Sequence, residues 1–102
     1  MIRHIVLYRQ RADLPSAESD AVIAAIRAMK AEIPGIVAVA IGLDNSPEGL
    51  ARGYTHGFTV DFTDAAARDA YLPHPDHVKV ARILVAATQG GADGILVFDF
   101  EV

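Results

Sequence analysis

The chain has 102 residues, 52% of them hydrophobic, with a formal net charge of −4 and no cysteine. The missing cysteine excludes disulfides, thiolate metal sites and a thiol nucleophile. The acidic balance, with Lys and Arg scattered rather than clustered, excludes a nucleic-acid footprint.

Ile2 to Tyr8, rich in β-branched and aromatic residues, reads as a first strand. Val22, Ile26, Met29 and Ile33 then recur at helical spacing among alanines, which predicts a helix. Ser16 or Asp13 is expected to cap its start, and Pro34-Gly35 stops it. Ile36 to Leu43 (IVAVAIGL) is continuously apolar, which predicts a strand covered on both faces. Asp44 to Gly53 is a turn-rich loop, and Tyr54 to Phe62 alternates, with Tyr54, His56, Phe58, Val60 and Phe62 on one face. Thr63 or Asp64 caps a short helix that runs to Ala70 or Tyr71. Pro75 suits the first turn of a further helix reaching about Thr88, and after a glycine-rich break Ile95 to Phe100 forms the last strand.

The order β-α-β-β-α-β, with the second helix split in two, predicts an α+β, ferredoxin-like protomer with a four-stranded antiparallel sheet. Helices cover one face of such a sheet and leave the other bare. A chain this size hides only about two-thirds of its unfolded surface when it folds alone. Its hydrophobic surplus therefore points to a second copy packed sheet against sheet, or to a ligand. Residues 1–102 are expected to form a single domain. MIRHIVLYRQ lacks the core and cleavage site of a signal peptide, and no apolar run reaches membrane-spanning length, so cytoplasmic residence is expected.

The chemistry concentrates in Tyr71 to Val80, YLPHPDHVKV. Pro73 and Pro75 stiffen the backbone around His74. His77 falls in the first turn of the following helix, where unpaired amides and the macrodipole disfavour a positive charge. A histidine kept neutral near pH 7 is the usual general base. Tyr71 stands where its phenol can return to the same cavity and donate to a developing enolate oxygen. The alternative reading is a rigid helix–helix corner, with His77 satisfying backbone groups and Tyr71 in the core. His4 and His56 sit on apolar strand faces, as hydrogen-bonded core residues or as walls of a polar pocket. His74-x-x-His77 with Asp76 between has a plausible metal spacing, but no third ligand falls at a recognised offset, and no metal or cofactor is assigned.

The sequence resembles the stress-responsive dimeric α/β-barrel (Dabb) family along nearly its whole length. MIRHIVLY, IPGIVAVAIG, SPEGLARGYTHGFTVDF, YLPHPDHVKV and ILVFDF carry the resemblance, in that order. It implies a homodimer whose sheets pair into an α/β-barrel. The likeness to olivetolic acid cyclase-type polyketide cyclases of that family implies a cofactor-independent cyclase or lyase forming C–C bonds by aldol-type chemistry on an enolisable, polyketide-like substrate. His77 would be the base and Tyr71 the donor, with His4, His56 and His74 as substrate-binding residues. Tyr8-Arg9-Gln10-Arg11 and Thr88 to Gly94 depart from the family's usual pattern and alter the pocket walls or rim. Two other classes stand beside the enzyme: a non-catalytic stress-response or ligand-binding dimer, and a haem- or quinol-type monooxygenase of the same barrel architecture.

Overall fold

The computed structural model describes residues 1–102. Its elements are β1 (Ile2–Tyr8), α1 (Ser16–Glu32), β2 (Ile36–Leu43), β3 (His56–Phe62), α2 (Ala65–Tyr71), α3 (Pro75–Ala87), a 3₁₀ turn (Gly91–Gly94) and β4 (Ile95–Glu101). The four strands form one sheet in the order β2-β3-β1-β4, every neighbouring pair antiparallel. This is the ferredoxin-like βαββαβ arrangement expected from the element order, with the second helix split.

Alternation along β1 decides what each side chain meets. Ile2, His4, Val6 and Tyr8 are buried beneath the helices, whereas Arg3, Ile5 and Leu7 lie on the other face. His56, Phe58, Val60 and Phe62 of β3 extend the buried face. Onto it α1 presses Val22, Ile26 and Met29, followed by Ile33 at its end, and α3 presses Val80, Leu84 and Ala87. Ile26 is 0% exposed, and burying such a side chain contributes about 1.5–3 kcal/mol.

Three local expectations are corrected. Neither Ser16 nor Asp13 caps α1: Pro15 is the N-cap, and its carbonyl accepts from the amides of Glu18 and Ser19, both at 3.0 Å. Asp13 is instead taken by the Arg11 guanidinium at 2.9 and 3.0 Å. Nor is β2 covered on both faces within the chain. Ala38, Ala40 and Gly42 are exposed, because α1 covers one face and nothing covers the other. The β3 strand itself begins at His56, so Tyr54 belongs to the preceding loop, where the Arg9 guanidinium lies 4.5 Å over its ring.

Asp64 does cap α2, accepting the Ala67 amide at 2.8 Å. Gly35 makes the turn into β2 at φ 90°, and a Cβ there would press to 2.7 Å on that of Ala67. The short helix α2 is thereby held close to the start of β2, which fixes where its last residue, Tyr71, enters the core.

Candidate functional site

Tyr71 closes α2, His77 opens α3, and the Leu72–Pro73–His74 corner folds one against the other. The amide of His74 donates to the Tyr71 carbonyl at 3.0 Å, tightening that corner. The rings of Tyr71 and His77 lie 4.0 Å apart between centroids, tilted by 34°. His4 of β1 meets Tyr71 edge-on at 5.7 Å, and Phe62 of β3 does so at 4.9 Å. Three of the residues singled out in the sequence are thus brought together.

The histidine ring nitrogens of this cluster are fixed by acceptors. Nδ1 of His77 lies 2.9 Å from the Leu72 carbonyl oxygen, which can only accept, so Nδ1 carries a hydrogen. In the neutral ring the lone pair is then on Nε2. Burial lowers the pKa of His77, helped by the charges of His4 and His74 and opposed by the bond to Leu72. Burial rather than the helix terminus is therefore the leading cause of its neutrality. Tyr71 is 1% exposed, and burial, followed by the nearby Asp99 charge, raises its phenol well above the ordinary value. It stays protonated as a hydrogen-bond donor.

His4 has a partner that no local pattern announced. The β1–β4 register sets His4 opposite Asp99, and His4 Nδ1 approaches Asp99 Oδ1 at 2.7 Å. The other Asp99 oxygen accepts from Arg68 Nη1 at 2.9 Å, and Arg68 Nε donates to Asp69 at 2.8 Å. The carboxylate holds the His4 ring by Nδ1 and leaves Nε2 free, an orienting arrangement familiar from acid–base sites. Asp99, Arg68 and Phe62 were missed at the level of sequence. The one available signal was a lone acid in the apolar run ILVFDF.

His56 and His74 stand apart from this cluster. His56 shares the buried sheet face with His4, but it pairs with Tyr8, four residues further along β1 and so about 13 Å away. Its ring stacks on Tyr8 at 5.0 Å, and its Nδ1 lies 2.8 Å from Thr55 Oγ1. Burial lowers its pKa too. His56 lines a different cavity, of about 350 Å³, together with Tyr54 and Asp44. The Tyr8 hydroxyl beside it is buried without any partner. His74 is the N-cap of α3: its Nδ1 accepts the Asp76 amide at 3.1 Å. That nitrogen is occupied in holding the start of the helix.

Beside the cluster, His77 borders an apolar groove of about 390 Å³ on α3, with Val78, Ala81, Arg82, Val85 and Ala86. No group of three His, Asp or Glu side chains converges in a way that would hold a metal ion. No helix is long and apolar enough to cross a membrane.

Residues 2–102 match the profile of the Stress responsive A/B Barrel Domain, termed Dabb. The chain belongs to that family. A dimeric ferredoxin-like protein of unknown function from Jannaschia sp. CCS1 is similar to this Dabb chain over 99% of it and 98% of its own length, at 35% identity and TM-score 0.88. The stress-response A/B barrel domain-containing protein HS1 of Arabidopsis thaliana is 40% identical over 60 residues, which are 59% of this chain. The Dabb chain spans about half the length of that relative (51%). Hydroxynitrile lyase from Passiflora edulis has the same fold, at TM-score 0.89 and 24% identity over 99% of this chain and 92% of its own.

Proposed function

We propose that this Dabb protein is a homodimer, joined through the bare sheet face, in which each protomer carries a cofactor-independent general-base site for an enolisable carbonyl substrate. The reaction class is that of a cyclase or lyase that makes or breaks a C–C bond next to a carbonyl, as in the olivetolic acid cyclase-type enzymes the sequence resembles. The observation that carries the reading is the pairing of a neutral His77, its lone pair on Nε2, with a buried un-ionised Tyr71 whose ring is 4.0 Å away.

In this reading His77 Nε2 takes a proton from the carbon next to the carbonyl, and the Tyr71 O–H donates a hydrogen bond to the enolate oxygen that forms. The enolate carbon then attacks a second carbonyl, and the proton held on His77 goes to the new alkoxide. His4, aimed by Asp99, polarises the same space. The apolar groove beside His77, with Arg82 at its rim, suits a substrate with a hydrocarbon body and an anionic or thioester end. His56 and His74 would act only at a distance, through the second cavity and the α3 cap. Homodimerisation draws support from the solved relative described as dimeric and from the uncovered apolar residues of β2 and β4.

One observation favours the non-catalytic alternative: Tyr71 is as buried as any core residue, and His77 satisfies a backbone carbonyl. Deuterium exchange separates the two readings. The α-protons of a β-keto thioester in D₂O are followed by NMR with wild type, His77→Ala and Tyr71→Phe. The enzyme reading expects wild-type acceleration that both substitutions remove while the fold persists. Equal exchange rates with and without folded wild-type protein overturn it.

A further inference from the structure

Tyr71 is not the sole side chain that α2 sends toward the site. Arg68 stands three residues earlier, so the two project from the same side of the helix. Tyr71 packs against both imidazoles, its ring centroid 4.0 Å from that of His77 and 5.7 Å from that of His4. Arg68 reaches His4 by the longer way, through Asp99 of β4. The contacts close a circuit. It runs from α2 through Tyr71 to His4 of β1, across to Asp99 of β4, and back to α2 through Arg68.

An aspartate by itself is a poor guide for a ring. Its terminal torsion is broad, so the side chain's own rotamer does not fix the plane of the carboxylate. Here both oxygens are engaged, one by His4 Nδ1 at 2.7 Å and the other by Arg68 Nη1 at 2.9 Å, and the two bonds together set that plane. The guanidinium is itself planar and is held at a second point, where Nε donates to Asp69 at 2.8 Å. With the carboxylate fixed, one orientation of the His4 ring is favoured, Nδ1 toward Asp99 and Nε2 away from it. The Arg11–Asp13 pair offers a contrast: it joins residues of one exposed segment and aims nothing. The Arg68–Asp99 pair is partly buried and joins two elements across 31 residues.

We infer that Arg68 is a positioning residue of this site: acting through Asp99, it holds the His4 ring with Nε2 turned away from the carboxylate and free for the substrate. Arg68 itself touches no substrate. The inference rests on the base site proposed above and adds the residue that aligns His4 within it. The same bond fixes where the Asp99 charge sits relative to the Tyr71 phenol, whose proton is retained by burial first and by that charge second. An alignment that matters as charge develops is felt in the transition state, so its loss lowers kcat and kcat/KM equally and leaves KM unchanged.

Exchange of the α-protons of a β-keto thioester in D₂O supplies kcat and KM, and ¹⁵N-edited spectra report the His4 ring. Arg68→Met keeps the apolar stem and removes both charge and donors. It is expected to lower kcat about 10-fold at unchanged KM, the scale on which partners behind an orienting carboxylate act on a histidine. The single His4 tautomer is expected to become a mixture. Arg68→Lys returns a charged donor to Asp99 and is expected to recover most of both. Should the methionine variant not fold, Arg68→Gln, neutral and too short to bond both carboxylates, is read in its place with the same expectations. A neutral variant with wild-type kcat and one His4 tautomer overturns the inference. So does a raised KM at constant kcat, which would mark substrate binding, or a lysine variant as slow as the neutral one, which would mark packing alone. A wild type without accelerated exchange overturns the base-site reading instead, and the His4 spectra then judge Arg68 by themselves.

Discussion

Replacing Asp99 with Asn removes the charge on which His4 and Arg68 converge while keeping the shape of the side chain. His4 is 6% exposed at its side chain, Asp99 22% and Arg68 24%, so water is a poor substitute for any of them. Each bond to a charged group contributes about 1.5–3 kcal/mol. The amide keeps one acceptor oxygen, which serves one partner, and turns an N–H₂ donor toward the other donor. One bond is lost and one weakened, so the net cost is about 2 kcal/mol, which for a chain of this length lowers the midpoint by about 10 °C. Calorimetry measures the shift, and ¹⁵N-edited spectra of the imidazoles report whether His4 keeps its Nδ1–H. The expected result is a large drop in midpoint together with a mixture of His4 tautomers. A midpoint that moves by less than about 2 °C with an unchanged His4 spectrum would refute the claim that Asp99 positions this ring.

Three further outcomes are expected. The Tyr8 hydroxyl is buried without a partner, so Tyr8→Phe should leave stability unchanged or raise it by up to about 1–3 kcal/mol in urea denaturation; a clear loss would show that the hydroxyl is engaged. His77 and His56 both hold their protons less tightly in the folded chain than in the unfolded one, where the midpoint is about 6.5. Their contribution is therefore full above that pH and is lost as pH falls through it, and His77→Gln should flatten the acid limb of the urea midpoint plotted against pH. Asparagine is a favourable N-cap, so His74→Asn should keep both the melting temperature and α-proton exchange; lost exchange with an intact fold would return His74 to the substrate site.

The fold was largely legible because its signals are local. The helical period of Val22, Ile26 and Met29 and the alternation through Phe58, Val60 and Phe62 survive into the structure, as does the Asp64 cap. What failed is what depends on competition or on distance. Ser16 lost the cap because the chain enters α1 through Pro15, whose carbonyl takes the first amides. The apolar run of β2 suggested cover on both faces, but sequence alone cannot tell a strand buried within its own subunit from one left bare. The site divides in the same way. Tyr71 and His77 lie six residues apart across a proline corner, and their encounter follows from that corner. Asp99 meets His4 across 95 residues, through a strand register that no local pattern specifies. Alternation put His4 and His56 each on the apolar face of its own strand but carries no information on how the strands pair; the register sets them on one buried face, four residues apart along β1.

The central claim, that His77 is a neutral base with its lone pair on Nε2, is tested most directly by a ¹⁵N titration of the imidazole rings, with His77→Gln used for assignment. The account predicts a His77 ring that carries its hydrogen on Nδ1 at neutral pH and takes up its second proton only below the ordinary midpoint of about 6.5. A ring that titrates at or above that value, or carries its neutral hydrogen on Nε2, would contradict it.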